Sequence, residues 1–426
     1  MNKWDNVNGA GGISRLASLP SLGDIVALPV FKQECKGRDD NTSNSFPNII
    51  MKRNINDLKM TLIVTHNCNL NCVYCYQHKA QREKRMSFVT AQTSIQDALM
   101  NTPYNYVDIT FIGGEPLLEF ELIKNTCEWV WSKCDWPKQY SFYATTNGTI
   151  LTKEMKEWFI HNKDRFSLGL SLDGRKETHN MNRCNSFDMI DFDFFLSNWP
   201  DKPVKMTISD LNLQHLADDI IYIHEKGFKL SGCNFAEGCT INDFETNLNI
   251  IAEQYKTLVD YYVNHPEITH PRLFDLSLDL CEDKSNGKLK KCGTGENMVV
   301  IDYDGKKYPC IYLSPVTLTE KQLNSISNID LKDTDNFIDT ICLDNCYFYP
   351  VCDGCYGDNF TSTGKLCSRS KQKCALNKLR IAAAASYQGQ MLDKKLINAT
   401  ELTLEEKMTI KAIIKINEIN NAQTIV

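Results

Sequence analysis

Three cysteines lie close together after a strand-like segment of this 426-residue chain. Cys68, Cys72 and Cys75 occur in THNCNLNCVYCYQ (residues 65–77) at CxxxCxxC spacing. Thiolates are soft ligands that suit zinc and iron–sulfur clusters. A structural zinc ion takes four protein ligands, and His66 lies too near Cys68 to complete a tetrahedron easily. A [4Fe–4S] cluster held by three cysteines keeps one iron open to a small molecule, so the spacing favours that cluster.

A second group of cysteines follows in the C-terminal part of the chain. The pattern C-x12-G-x4-C begins at Cys292, and C-x3-C-x5-C-x2-C begins at Cys342. A zinc ribbon would need four cysteines, and this region contains more than four. The cysteines of the group are Cys281, Cys292, Cys310, Cys342, Cys346, Cys352, Cys355, Cys367 and Cys374.

Composition excludes several classes of protein. The net charge is −6, and no basic block of the nucleic-acid-binding kind is present. The N-terminal residues lack a signal-peptide run, and no stretch approaches the about 18 apolar residues of a membrane span. We therefore expect a cytosolic protein that uses its cysteines for metal binding or catalysis. The scattered ones are expected to be small buried hydrophobic residues: Cys35, Cys127, Cys134, Cys184, Cys233 and Cys239.

Six strand-like segments alternate with helix-length segments before the second cysteine group. They are MTLIVT (60–65), VDITFIGG (107–114), YSFYATTNG (140–148), FSLGLSLDG (166–174), VKMTIS (204–209) and KLSGCNF (229–235). This alternation predicts an α/β fold with a parallel sheet and outer helices. Six repeats are too few to close an eight-stranded barrel, so we predict a partial (β/α)6 barrel of TIM type. Four strands end in THNCNLNC, IGGEP, TTNGT and SLDG, and barrel active sites form at such carboxyl ends.

The chain divides into four predicted parts. Residues 1–57 are a polar extension, residues 58–270 form the partial barrel, and residues 275–385 form the cysteine-rich domain. Residues 386–426 form a tail with an amphipathic helix, which begins at a Thr403–Glu406 capping box.

The cysteine loop and its neighbours resemble the radical S-adenosylmethionine (SAM) enzymes over roughly residues 58–265. In that family the open iron chelates the amino and carboxylate groups of SAM. An injected electron cleaves SAM to methionine and a 5′-deoxyadenosyl radical, which abstracts a substrate hydrogen. The resemblance implies that Cys68, Cys72 and Cys75 hold this cluster.

The same resemblance implies SAM contacts at the ends of several strands. The GGEP motif of the family matches residues 113–116, and its acidic residue pairs with the SAM ammonium. The segment SLDGRKETHNMNR (171–183) resembles the fourth-strand segment of peptide-modifying members. The implied contacts are Tyr74 near adenine, Gly113, Gly114 and Glu115 at the methionyl amine, Ser171 and Arg183 at the carboxylate or ribose, and Asn147 as a further contact.

The second cysteine group resembles the SPASM domain, which holds two auxiliary [4Fe–4S] clusters. Its usual middle signature is C-x2-C-x5-C-x3-C, and this chain exchanges the outer spacings. The resemblance assigns the first auxiliary cluster to Cys292, Cys310 and Cys355, with Cys281 as fourth ligand or an open iron. It assigns the second to Cys342, Cys346, Cys352 and Cys374, and leaves Cys367 over.

SPASM-bearing radical SAM enzymes act mostly on peptides, so the resemblance implies a maturase of a ribosomally synthesised precursor peptide. It would form a carbon–carbon, ether or thioether crosslink, and auxiliary clusters would accept electrons. We favour members that join aromatic or aliphatic side chains, such as the darobactin-type synthases. Flavodoxin or ferredoxin is the implied electron donor. Residues 1–57 are too short for a full leader-binding winged helix, so an abbreviated element or a separate protein is expected to bind the leader.

Other functions remain open from the sequence. Anaerobic sulfatase maturases, which make formylglycine, carry an aspartate where this chain has Ile311, although Asp302 or Asp304 could replace that base. A peptide epimerase would need a thiol hydrogen donor, such as Cys233 or Cys239. An iron–sulfur electron carrier without catalysis would not need the GGEP and SLDG strand ends.

Overall fold

The computed structural model of the protein describes residues 57–77, 80–237, 241–276, 290–346 and 348–394. The strands are β1 (Asp57–Thr65), β2 (Tyr106–Gly113), β3 (Gln139–Thr146), β4 (Phe166–Leu170), β5 (Val204–Ile208), β6 (Leu230–Phe235), β7 (Met298–Ile301) and β8 (Lys307–Tyr308). The predicted N-terminal extension, apart from Asp57, lies outside the described residues. The predicted capping-box helix also lies outside them.

Helices follow most of the strands. The α-helices are α1 (Phe88–Asn101), α2 (Phe120–Trp131), α3 (Lys153–His161), α4 (Lys176–Asn182), α5 (Phe192–Asn198), α6 (Leu216–Glu225), α7 (Phe244–Asn264), α8 (Glu320–Ile326), α9 (Thr340–Asn345), α10 (Tyr356–Thr363) and α11 (Lys371–Asp393). Short 3-10 helices occupy Pro116–Glu119, Phe187–Met189, Leu213–His215, Arg272–Phe274, Ile311–Leu313, Thr334–Phe337 and Tyr349–Val351. Among the described helices, none combines the length and apolar character needed to cross a bilayer.

The first six strands follow one another in chain order. β1, β2, β3 and β4 pair in parallel, and β5 pairs in parallel with β6. An isolated parallel bridge between Ser171 and Lys205 joins β4 to β5. This arrangement confirms the predicted partial (β/α)6 barrel, and each predicted segment is a strand.

The cysteine-rich region extends the same sheet. β7 pairs in parallel with β1, on the side away from β2, and β8 pairs antiparallel with β7. The apolar segment MVVI fits a strand that is packed on a sheet. Because β7 covers the edge of β1, the barrel and the cysteine-rich region share one sheet.

Aromatic side chains fill the layer between the sheet and its helices. Phe111, Phe142 and Phe166 stack across β2, β3 and β4, with neighbouring ring centroids 5.7 and 6.5 Å apart. Trp158 and Phe159 of α3 pack onto Phe166. Burying one such side chain stabilises the fold by about 1.5–3 kcal/mol. Because these aromatic rings lie on the helix side of the sheet, polar residues can occupy its inner side.

α11 packs against the barrel and connects the C-terminal part of the chain to it. Gln388 donates to the Phe274 carbonyl at 3.1 Å, and Arg380 donates to the Asp275 carbonyl at 2.9 Å. The ring of Tyr387 packs 4.8 Å from that of His270. α11 runs across residue 385, where the sequence interpretation ended the cysteine-rich domain, and the proposed division of the chain stays a prediction.

Candidate active site and cysteine centres

The three-cysteine loop begins where β1 ends. Cys75 N–H donates to the Cys72 carbonyl at 3.1 Å, and Leu70 N–H donates to Cys68 Sγ at 3.4 Å. Burial raises the pKa of the Cys72 thiol to about 12, with Arg183 opposing and the other two thiols adding to the shift. A bound metal would supply positive charge that favours the thiolate form.

The two glycines of GGEP let β2 end against the cysteine loop. A Cβ on Gly113 would lie 2.3 Å from the Thr65 carbonyl oxygen, and one on Gly114 would lie 2.3 Å from that of Asn67. Gly114 N–H donates to the Thr65 carbonyl at 3.1 Å. We expected these glycines to admit a ligand, whereas the close approach that the structure shows is to the loop itself.

Glu115 lies buried beneath the loop and joins two strand ends. Its carboxylate accepts from Asn147 N–H at 2.8 Å, from the Thr146 hydroxyl at 2.8 Å and from Leu117 N–H at 3.1 Å. Burial raises its pKa to about 7, although these three donors oppose the shift. A carboxylate accepts about four hydrogen bonds, so the three bonds within the protein leave one acceptor position of Glu115 unused.

The side chain of Asn147 forms a hydrogen bond with the cysteine loop. Its Nδ2 donates to Asn69 Oδ1 at 2.9 Å, and its Oδ1 accepts from Thr149 N–H at 3.0 Å. Ser171, which follows β4, donates its N–H to the Thr146 carbonyl at 3.0 Å. Both predicted SAM contacts therefore lie at the carboxyl ends of neighbouring strands, and their contact with SAM stays a prediction.

Arg183 has a carboxylate partner within the protein. Its Nε and Nη2 donate to Asp173 at 2.9 and 3.1 Å, and both side chains are buried. The Tyr74 hydroxyl donates to the same carboxylate, and the Arg183 guanidinium lies 5.3 Å from the Tyr74 ring centroid. The sequence indicated Arg183 as a SAM ligand but missed Asp173, whose carboxylate connects Arg183 to the cysteine loop.

His66 joins the cysteine loop to the cysteine-rich region. Its Nε2 lies 2.7 Å from Asp302 Oδ1, and its Nδ1 accepts from Gln81 N–H at 3.2 Å. Asp302 follows β7 and is buried. His66 is therefore engaged away from the cysteines, which disfavours it as a zinc ligand, and Asp302 is not a free base.

The second cysteine group separates into two sets. The inner set, which comprises Cys292, Cys310 and Cys355, brings three thiols near one another, and burial raises the pKa of Cys310 to about 11. The outer set lines a small cavity of about 50 Å³, which Cys367 also lines. The outer set comprises Cys342, Cys346, Cys352 and Cys374. The assignment of ligands to two clusters stays a prediction, and Cys281 lies outside the described residues.

The donor geometry tests whether these sites fit clusters. In the described part of the chain, no three His, Cys, Asp or Glu side chains converge closely enough to hold one metal ion. A zinc ion needs its ligands to converge on one point, whereas a cluster spreads its cysteines over different irons. The loop offers three thiols, and His66 is engaged with Asp302, so its donor set fits a cluster with one open iron better than a zinc ion with four ligands.

Two tyrosines lie between the loop and the inner set. Tyr76 follows Cys75, and Tyr312 lies two residues after Cys310. Their ring centroids are 4.9 Å apart, and burial raises the pKa of Tyr76 to about 12. The contact brings the two cysteine centres into one packed unit.

A cavity of about 530 Å³ opens beside the loop, between the barrel and helices α10 and α11. Tyr74 forms part of its wall. Apolar and polar side chains alternate around the rest, including Ile208, Asp210, Phe235, Asp358, Lys371, Lys373 and Leu376. Such a mixture suits a ligand that has both an apolar side chain and a polar backbone.

Two carboxyl groups share a lysine beside this cavity. Lys373 Nζ lies 3.5 Å from Glu237 Oε2 and 3.6 Å from Asp358 Oδ2. Burial raises the pKa of Glu237 above its usual 4.5, with Lys373 opposing and Asp358 adding to the shift. The sequence analysis missed this group, because its members come from separate segments and no local motif marks them.

Cys233 does not line the cavity. It is buried, and its Sγ lies 3.9 Å from Met206 Sδ. Cys233 is therefore badly placed to donate hydrogen to a substrate, and Cys239 lies outside the described residues.

Comparison with known proteins agrees with this site. The chain matches a family model described as a 4Fe-4S single cluster domain over residues 57–189. It is 26% identical over 293 residues to a cysteine-type anaerobic sulfatase-maturating enzyme of Clostridium perfringens, a match that covers 62% of this chain and 76% of that enzyme. It is 23% identical over 330 residues to the antilisterial bacteriocin subtilosin biosynthesis protein AlbA of Bacillus subtilis, covering 70% and 67%.

The fold is also similar to solved structures. The native enzyme anSMEcpe with bound AdoMet and a Kp18Cys peptide has a TM-score of 0.61 and 20% identity, and the match covers 80% of this chain and all of that chain. At this identity the likeness establishes the shared fold. Motifs, sequence similarity and fold together make the chain similar to the radical SAM/SPASM-type maturases.

Proposed function

We propose that this protein is a radical SAM maturase that joins side chains of a ribosomally synthesised precursor peptide. The observation that carries the proposal is the cavity of about 530 Å³, which adjoins both the three-cysteine loop and the cysteine-rich helices. A cleft of this size holds a peptide segment beside the loop. The narrower preference for aromatic or aliphatic crosslinks stays a prediction.

The chain's own residues would hold the cofactors. Cys68, Cys72 and Cys75 would bind the SAM cluster, and the remaining acceptor position of Glu115 would take the SAM ammonium. When bound, cluster and SAM supply a radical that removes a hydrogen atom from the substrate. The protein's task is to orient the target hydrogen and to exclude water, and the Tyr74 ring on the cavity wall contributes to both.

In the second cysteine group, each of the two sets of cysteines would hold one cluster. The inner set holds one cluster through three described cysteines, with Cys281 or an open position completing it. The outer set supplies four cysteines for the other. Their role in this proposal is to take electrons from the oxidised peptide.

Sulfatase maturation is the second candidate, because the matched Clostridium perfringens enzyme carries that name. The two carboxyl groups that the sequence offered as a base, Asp302 and Asp304, both have partners within the described residues. Ile311 follows Cys310, Asp302 binds His66 at 2.7 Å, and Asp304 pairs with Lys306 at 3.0 Å. We therefore rank this activity below peptide crosslinking.

The remaining partners are inferred from the chemistry. A flavodoxin or ferredoxin would supply electrons, and a separate protein or residues 1–57 would bind the leader of the peptide. A cytoplasmic location is proposed because reduced thiols and clusters need a reducing compartment.

Coexpression tests the function. The protein is produced with the short open reading frame encoded beside its gene, and the peptide product is weighed by mass spectrometry. Loss of hydrogen pairs that is absent with Cys72→Ala is the expected result. An unchanged peptide mass that accompanies active SAM cleavage would remove crosslinking of that peptide and favour epimerisation, which chiral amino-acid analysis detects.

A further inference from the structure

One sulfur of the outer set accepts two side-chain hydrogen bonds. Arg369 Nη1 lies 3.0 Å from Cys352 Sγ, and Asn377 Nδ2 lies 3.1 Å from the same atom. Both side chains also donate to the Asp353 carbonyl. Arginine and the amide NH2 group only donate, so Cys352 Sγ is the acceptor in both bonds.

The charge of Arg369 is directed at this sulfur. Among the described residues, no ion pair joins Arg369 to a carboxylate, whereas the neighbouring Arg380 lies 2.7 Å from Asp353 Oδ1. Arg369 is half-buried and lines the cavity of the outer set. A half-buried cation that faces sulfur instead of a carboxylate is matched by an anionic cluster, since thiolate ligands give such clusters negative charge.

We propose that Arg369 and Asn377 raise the reduction potential of the cluster held by the outer set, and so make it an electron acceptor. The proposal rests on the proposed function. Reduction adds one negative charge to the cluster, and a nearby cation with N–H···S hydrogen bonds stabilises that charge. Asn377 contributes the hydrogen bond without a net charge, so its effect is the smaller of the two.

This role agrees with the electron balance of crosslinking. Joining two side chains removes two hydrogen atoms from the peptide. The SAM-derived fragment takes up one as a hydrogen atom, and the other leaves as a proton and an electron. That electron would pass to an auxiliary cluster, and Arg369 beside Cys352 would favour the outer set as its acceptor.

An anaerobic redox titration followed by electron paramagnetic resonance tests the proposal. The background carries Cys68→Ala, Cys72→Ala and Cys75→Ala, so only auxiliary clusters contribute signals. Arg369→Gln is expected to shift the reduction equilibrium of one signal about tenfold towards the oxidised form, or about 59 mV lower for one electron. The signal of the inner set stays in place and serves as an internal reference.

Two further variants complete the test. Asn377→Leu should shift the same signal in the same direction by a smaller amount. Lys365→Gln removes a charge from an exposed position four residues before Arg369 and should leave both signals in place. Equal potentials for Arg369→Gln and Lys365→Gln would overturn the proposal.

The test still gives an answer if the Arg369→Gln variant loses the outer cluster. If iron analysis shows that Arg369→Gln fails to assemble the outer cluster, Asn377→Leu decides alone, and an unmoved potential rejects the role. Because the background cannot cleave SAM, the outcome does not depend on which peptide the enzyme modifies.

Discussion

The three-cysteine loop and the outer set place their cations differently. Near the loop, Arg183 donates to both oxygens of Asp173, at 2.9 and 3.1 Å. In the outer set, Arg369 donates to Cys352 Sγ at 3.0 Å. The loop therefore keeps its cation neutralised by a carboxylate, whereas the outer set directs its cation at a ligand sulfur.

The two sites also differ in access. Cys75 is exposed, and Tyr74 of the same loop lines the large cavity. The outer set surrounds a space of only about 50 Å³. A larger cavity beside a charge-balanced site suits the binding of a small charged molecule such as SAM. A smaller space whose cation faces a ligand sulfur suits the storage of an electron.

Cys72→Ala should give the largest effect. Loss of one of three ligands removes the loop cluster, so SAM cleavage should fall to background while auxiliary iron remains. Chromatographic assay of SAM cleavage under anaerobic conditions, together with iron analysis, measures both. Cys134→Ala alters an exposed cysteine after α2 and is the matched control. Continued SAM cleavage by Cys72→Ala would show that cleavage does not need the loop cluster, so the two sites would not differ in this task.

Asp173→Asn should destabilise the protein by about 3 kcal/mol, because it leaves the buried Arg183 charge without its partner. Anaerobic chemical denaturation measures the change in the free energy of unfolding. Asp188→Asn breaks an exposed pair with Lys176 and should change it by less than about 1 kcal/mol. Similar losses for the two variants would show that Arg183 does not depend on Asp173.

Gly114→Ala should destabilise the protein by about 1–3 kcal/mol, because its Cβ would press on the Asn67 carbonyl and on Cys68. The displaced loop should also bind less iron. Gly232→Ala is the control, since the nearest atom to its Cβ would be 3.8 Å away. Normal iron content in Gly114→Ala would mean that the loop can shift without losing its cluster.

Glu237→Gln should give the smallest effect, which appears as a change in pH dependence. Burial raises the pKa of Glu237 above 4.5, so the folded protein keeps a proton that the unfolded chain releases. Stability therefore falls as pH rises from about 4.5 towards the raised pKa. Thermal unfolding across this range should show a weaker decline in the variant, and Glu225→Gln, at an exposed position, should keep the wild-type decline.

Local patterns predicted the elements of the barrel and the cysteine spacing well. Strand alternation located all six barrel strands, and CxxxCxxC located the loop. The contacts that could not be predicted join distant segments. His66 and Asp302 are 236 residues apart, and β7 pairs with β1 from within the cysteine-rich region. Neither leaves a periodic or spacing signal, because tertiary packing alone brings these segments together.

The sequence also could not show which group each charged side chain contacts. Arg183 was predicted to contact SAM, but its bond to Asp173 depends on how α4 packs beside the loop. Arg369 lies in an unremarkable polar stretch, and only folding brings it to Cys352. Residue type therefore indicated the chemistry available, while the fold decided which group each charge meets.

The effect of SAM on the reduced clusters tests most directly whether the three-cysteine loop binds SAM. Electron paramagnetic resonance spectra of the reduced protein are recorded with and without SAM, for the wild type and for the Cys68/Cys72/Cys75 triple alanine variant. We expect SAM to alter one signal of the wild type and none of the variant. A SAM-dependent change of equal size in the variant would contradict this expectation, because SAM would then bind an auxiliary cluster.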